Sequence, residues 1–276
     1  MTVTAESVRH LHRPRVYIPD STNAVSLYTL SHLLSAHEDF HIYFQGTEGD
    51  ESEEELVKRI CPRAIKEIGP IAKGMERSVL FLREGMDRNI LKAPVEGYHR
   101  FVLIVSIAGA EDPSNNPFAR SFAELEQEAK KSGYESYCLL RLPPIYQYLN
   151  CIDQNDLDIE GEFYGIDAED AGSAISHILL DPELHRGEEY TIFSPATISP
   201  STLKTVHSQL PHVHGVPLQT PSTILESIKS KYWRQQQRQG NDFAKITGGE
   251  EMTSFEEFLR RTQQSLFHQR FIARND

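Results

Sequence analysis

The chain has 276 residues, enough to bury a large core, and its 39% hydrophobic and 25% charged content is that of an ordinary globular protein. A formal net charge of −12 argues against broad contact with nucleic acid or an anionic membrane, since both need clustered Lys and Arg. No apolar run approaches the roughly 20 residues that cross a bilayer, and the opening MTVTAESVRHLHRPR lacks the apolar centre of a secretory signal.

Residues 1–14 carry no periodicity and are expected to form a loose tail. A Rossmann-like core over 15–160 should come next, then a stretch over 161–276 that completes the core and adds a smaller lobe for substrate or partner. Val16–Ile18 is a short apolar run that predicts a strand. Leu27, Leu30, Leu33 and Leu34 recur at helical spacing, and Phe40–Phe44 is a second apolar run. Strand, tight loop, helix and strand make the opening unit of a doubly wound sheet, where a dinucleotide's diphosphate meets a helix N-terminus. Such a loop needs glycines to turn sharply, yet Asp20 to Ser26 contains none. An acidic run from Glu48 to Glu55 then opens a predicted helix over Glu53–Ile60, and carboxylates at this place disfavour the 2′-phosphate of NADP.

Weaker strand signals lie at Ala64–Ile68 and Ser78–Leu82, and Arg83–Ala93 reads as a helix ended by Pro94. Phe101–Val105 is apolar throughout, as a strand buried on both faces should be. Ser106–Ala110 stand at its carboxyl end, where α/β proteins place ligands. Phe118–Lys131 predicts a helix closed by Ser132-Gly133, and Tyr137–Arg141 a strand broken by Leu142-Pro143-Pro144. Gly165–Pro182 reads as a capped helix with small residues on its packing face, in which Asp167 and Asp170 are capping and structural. Glu188–Phe193 predicts a strand, Ser199-Pro200 opens a helix, and 211–270 reads as helical, with Arg234–Gln239 as an exposed face. Cys61, Cys138 and Cys151 show no pairing or metal spacing, which predicts a reducing, cytoplasmic setting and three buried small hydrophobes. His207, His212 and His214 cluster without an acidic partner at ligand spacing, so no metal is expected. The pattern is α/β: a doubly wound, Rossmann-like parallel sheet with a small, mainly helical C-terminal lobe.

The string Gly97-Tyr98-His99-Arg100-Phe101-Val102-Leu103-Ile104-Val105-Ser106 resembles a strand of the NmrA-like atypical short-chain dehydrogenases. Glu126 to Arg141 resembles that family's helix-Ser-Gly-strand-Arg element, and Gly165 to Ala171 its Val-Asp-Val-x-Asp-Ile-Ala segment. Glu189–Ile192, the helix from Ser199, Ile246-Thr247-Gly248 and Ser254–Phe258 extend the likeness over most of 15–268. The resemblance implies a nicotinamide-dinucleotide-binding domain with a smaller substrate lobe, and its departures are informative. The family's three loop glycines fall on Asp20, Asn23 and Ser26. A carboxylate at Asp20, about 4 Å from a phosphate charge, costs about 4 kcal/mol at an effective dielectric near 20. The Tyr-x-x-x-Lys pair of typical short-chain dehydrogenases falls on Phe118 and Phe122, whose rings donate no proton. Arg141 to Tyr148 rebuilds the segment that lines the family's substrate cleft.

Ser106 stands where short-chain dehydrogenases put a substrate-polarising hydroxyl, so Ser106, Tyr146 and Tyr148 are the candidate catalytic residues. Phe118, Phe122, Pro143 and Ile145 are the candidate pocket walls, and Asp20 is either a helix N-cap with Ser21 or Thr22 or a ligand contact. These readings favour a cofactor-independent cyclase, isomerase or lyase acting on an apolar metabolite, of the kind the family supplies to fungal-type biosynthesis, with NAD(P) disfavoured. The alternative is a non-catalytic regulator with a regulatory protein partner, cytoplasmic or nuclear. An ordinary NAD(P)H-dependent oxidoreductase is the third.

Overall fold

A computed structural model describes residues 13–36, 40–46, 51–67, 73–112, 116–157, 161–210, 218–229 and 241–262. Its frame is a seven-stranded sheet in the order β3-β2-β1-β4-β5-β6-β7. The strands are β1 (Arg15–Ile18), β2 (His41–Gln45), β3 (Ile65–Glu67), β4 (Arg77–Phe81), β5 (Phe101–Ile107), β6 (Ser136–Leu142) and β7 (Glu189–Thr191). Every pairing is parallel, so all carboxyl ends reach one edge of the sheet. The order reverses between β1 and β4, the position at which ligands of such sheets bind.

On one face α1 (Ala24–Ser35) packs on α5 (Ala168–Leu180). Gly172 makes this approach possible, because a Cβ there would stand 2.7 Å from Tyr28 Cβ and 2.8 Å from the Thr29 amide. Small side chains at Ala168, Ala171 and Ala174 are buried along the same helix, as its composition predicts. The acidic helix is α2 (Glu51–Ile60), with Glu51, Glu53 and Glu54 in its first turn, where carboxylates favour the helix dipole. β5 lies inside the sheet between β4 and β6, and all seven of its residues are buried, which is why its sequence is apolar without alternation. Phe101, Leu103 and Val105 join the larger core on the α1 face; Val102, Ile104 and Ile107 join the other, under α4 (Pro117–Lys131). Asn116 caps α4 by accepting from the Phe118 and Ala119 amides at 2.9 and 3.4 Å, with Pro117 in the first turn.

Asp167 caps α5 through the Glu169 amide at 3.0 Å. Asp170 accepts from Thr253 N at 2.7 Å and Thr253 Oγ1 at 3.2 Å, fastening the later chain to α5. Burial is the main cause that pushes the Asp170 carboxyl up to about 6, against the two Thr253 hydrogen bonds that pull it down. Arg141 of β6 is buried and pairs with Glu126 of α4 at 2.7 Å and with Glu189 of β7 at 2.9 Å, joining helix to sheet. Burial would lower the Arg141 guanidinium, but the hydrogen bonds and charges of Glu126, Glu111 and Glu189 more than offset it. Ser199 caps α6 (Pro200–Val206) by accepting from the Thr202 amide at 3.0 Å, with Pro200 in the first turn as expected.

Several expectations need correction. Residues 83–93 do not form one helix: after β4 the chain turns through Gly85 (φ 69°), makes a 3-10 turn over Arg88–Lys92, and enters α3 (Ala93–Glu96). Pro94 lies inside the first turn of α3 and does not end a helix, since an amide is not needed there. The N-cap of α1 is Asn23, not Asp20, Ser21 or Thr22. Cys61 and Cys138 are buried, but Cys151 is exposed. Over 211–270 the described helices are α7 (Pro221–Lys229), α8 (Phe243–Thr247) and α9 (255–262); 211–217 and 230–240, with His212, His214 and the Arg234–Gln239 run, lie outside the described residues. His207 hydrogen-bonds the Ile152 carbonyl at 2.9 Å, and no metal cluster occurs among the described residues. No described helix is long and apolar enough to cross a membrane.

Candidate active site

Two features lie side by side along the carboxyl edge of the sheet. The first is the loop from β1 to α1. Asp20 has φ 52°, a left-handed conformation that glycine adopts freely and other residues rarely. An aspartate therefore makes a turn that glycine makes more readily. Asn23 organises the entry to α1: its Oδ1 accepts from the Ser26 amide at 2.9 Å, and its Nδ2 donates to the Asp20 carbonyl at 2.6 Å and to Ser26 Oγ at 2.9 Å. Tyr148 reaches across from the chain beyond β6, and its Oη accepts from the Ala24 amide at 2.9 Å. Two amides that a bare helix N-terminus would offer to a phosphate are thus bonded within the protein. The Asp20 carboxylate faces the Arg83 guanidinium, Oδ2 to Nη2 3.1 Å. Burial raises the Asp20 carboxyl above the usual range, and Arg83 opposes that rise.

The second feature is a cleft of about 250 Å³ over the ends of β4, β5 and β6. Leu82, Arg83 and Glu84 form one side; Val105, Ser106 and Ile107 form the floor, with Leu142 beyond. Phe122 of α4 supplies an aromatic wall, and Leu218, Gln219, Thr220 and Thr223 make the roof. The roof is pinned by Gln219, which is 4% exposed. Its Oε1 accepts from the Ile145 amide at 2.9 Å and its Nε2 donates to the Pro143 carbonyl at 3.0 Å. Thr220 caps α7 through the Thr223 amide at 3.1 Å, and Ser222 donates to Glu84 at 3.1 Å, closing roof to side wall.

Ser106 is 4% exposed, and its Oγ has no hydrogen-bond partner. A buried hydroxyl without a partner forgoes about 1–3 kcal/mol, and one that lines an open cleft is available to a ligand oxygen or nitrogen. Arg83 Nε and Nη2 are likewise buried without a hydrogen bond, because the Asp20 contact is too oblique to be one.

The cleft contains two of the residues expected there, Ser106 and Phe122. Phe118 is half-buried beside Phe122, ring centroids 5.3 Å apart, and does not line it. Pro143 and Ile145 contribute through their backbone, by holding Gln219. The Tyr146 ring packs on Phe255 and Phe258 at 5.0 and 5.2 Å, away from the cleft, with its hydroxyl unpartnered. Tyr148 serves the first loop; burial pushes its phenol up to about 12, so it stays protonated at neutral pH. Arg83 and Gln219 are the residues that sequence reasoning misses. Arg83 reads from sequence as the first residue of a helix; a cation immediately after a strand at the sheet's point of reversal is the available signal.

No family model matches the chain, and no curated protein matches it. Solved structures do. A triphenylmethane reductase from Citrobacter sp., complexed with NADP(H), superposes with a TM-score of 0.66 at 15% identity over 90% of this chain and 99% of that one. A nucleoside-diphosphate-sugar epimerase from Staphylococcus aureus gives 0.64 at 13% identity over 89% and 99%. An NADPH-dependent quinone oxidoreductase from Escherichia coli gives 0.62 at 15% identity over 89% and 98%. These likenesses show the Rossmann-like fold along nearly the whole length. They also overturn the expectation that no cofactor is involved: proteins of this shape include one solved with NADP(H) and one described as NADPH-dependent. The physical reason is visible in the first loop, where Asp20 itself takes the left-handed turn and Arg83 stands against its charge. The donor set at the cleft end, with Ser106 and Arg83 holding unused donors, suits the polar groups of a nicotinamide dinucleotide. At the diphosphate end the glycine-borne grip is closed by Asn23 and Tyr148, so any anchor there must be a side chain.

Proposed function

We propose that this chain is an NmrA-like oxidoreductase that uses a nicotinamide dinucleotide to reduce a small, largely apolar substrate bearing a carbonyl or imine. The observation that carries the reading is the unpartnered Ser106 hydroxyl, buried in the floor of the cleft at the carboxyl end of β5. The fold shared with reductases supports it. The bound nicotinamide would supply hydride. Phe122, Ile107, Leu142 and Leu218 would seat the apolar part of the substrate and exclude water. Ser106 Oγ would donate a hydrogen bond to the substrate's oxygen or nitrogen and stabilise the negative charge that develops there, and a proton drawn from solvent would complete the alcohol or amine. Gln219 positions the roof and touches no reacting atom in this scheme.

The test is titration of the purified chain with NADH and NADPH, read by calorimetry and nicotinamide fluorescence. Saturable binding of at least one of them in the micromolar range is expected. If neither binds at millimolar concentration, the reading is wrong.

A further inference from the structure

We propose that Arg83 is the diphosphate anchor of this chain, a cationic substitute for the amides that a glycine-rich loop presents. The inference rests on the nicotinamide-binding reading above and goes beyond it by naming the group that holds the phosphates.

A phosphate placed over the first loop would find the Ala24 and Ser26 amides already bonded, to Tyr148 Oη and Asn23 Oδ1. It would also find the Asp20 carboxylate. Without a nearby cation that anion would repel the ligand. Arg83 supplies the cation, with Nη2 3.1 Å from Asp20 Oδ2, and its side chain also lines the cleft. It therefore bridges the two halves of the edge, from the β1 loop to the floor around Ser106. Asp20 cancels the guanidinium's charge in part, but Nε and Nη2 carry no hydrogen bond, and the side chain as a whole is 29% exposed at the edge of the cleft. An arginine has five donors in a planar fork, which matches two phosphate oxygens. Donors left idle next to a chemically plausible acceptor site indicate where that acceptor goes. Two nearby carboxylates accept from hydroxyls and keep their charge: Glu84 from Ser222 at 3.1 Å, and Glu53 from Ser21 at 3.5 Å.

The arrangement also explains how aspartate is tolerated at a position shaped for glycine. The backbone keeps φ 52°, and the side chain orients the guanidinium instead of blocking the ligand. Asp20 is then a positioning residue, and Arg83 the one that meets the ligand.

The experiment measures dissociation constants of NADH and NADPH by calorimetry for the wild-type chain, Arg83→Met, Arg83→Lys and Asp20→Gly, at low and high salt. Circular dichroism melts verify that each variant is folded. Arg83→Met, which keeps the apolar stem, should weaken the tighter-binding dinucleotide by at least roughly tenfold and flatten its salt dependence. Arg83→Lys, a point charge without the fork, should fall in between. Asp20→Gly should weaken binding by less than Arg83→Met, because the guanidinium stays but loses the carboxylate that orients it. Wild-type binding with no loss in folded Arg83→Met, or a loss in Arg83→Met that Arg83→Lys does not partly restore, overturns the anchor and leaves the proposed function standing. Absence of wild-type binding overturns both.

Discussion

The first loop and the cleft beside it sit on the same edge of the same sheet, yet they treat their polar groups in opposite ways. In the loop, Asn23 and Tyr148 bond the Ser26 and Ala24 amides at 2.9 Å each, and little is left for a ligand. In the cleft, Ser106 is as well buried, but its hydroxyl bonds nothing. In the loop the amides at the start of α1 serve the protein's own structure. The cleft leaves the Ser106 hydroxyl without a protein partner. Reading such an edge therefore requires asking which hydrogen bonds are complete, not only which residues occupy a motif.

That contrast can be broken by substitution. The largest effect should come from Ser106→Ala. Against a reducible substrate, kcat should fall on the order of 100-fold, the usual consequence of removing one donor to a developing anion. The melting temperature should stay where it is or rise, because the lost hydroxyl has no partner to abandon. A fall in stability with no change in kcat would place Ser106 with the loop residues. The loop should behave in the reverse manner. Tyr148→Phe leaves the Ala24 amide without its acceptor and should cost about 1–3 kcal/mol in denaturant unfolding. Asn23→Ala removes the cap of α1 and should cost about 1–2 kcal/mol.

The smallest effect sharpens the comparison at a distance from both features. Asp170 titrates in the folded protein near 6, above its value in the unfolded chain. The native state therefore binds the extra proton between about pH 4 and pH 6, and this group's contribution to stability declines as pH rises through that window. Asp170→Asn, which still accepts from Thr253, should flatten that part of the stability-versus-pH curve while leaving dinucleotide binding unchanged. A variant that keeps the wild-type slope would assign the titration elsewhere.

Much of the fold was legible because its signals are local. Seven buried residues in β5 read as a two-sided strand, and small residues on α5 read as a close-packing face, which Gly172 against Thr29 bears out. The capping role of Asp167 and the structural role of Asp170 were legible too, since a carboxylate in a helix's first turn has few other uses. Ser106 and Phe122, singled out through the family resemblance, both line the cleft.

What remained hidden depends on residues far apart in the chain. Tyr148 meets Ala24 across 124 positions, and Gln219 meets Ile145 across 74, so neither partner can be named from local pattern. Asp20 read as a repulsive charge because Arg83, its neighbour in space, belongs to a different strand end and looked helical in sequence. Periodicity and turn chemistry specify strands, helices and their order, since they act over a few residues. Which donor finds which acceptor is settled when parallel strands bring their ends to one edge, and there a missing glycine acquired a different meaning.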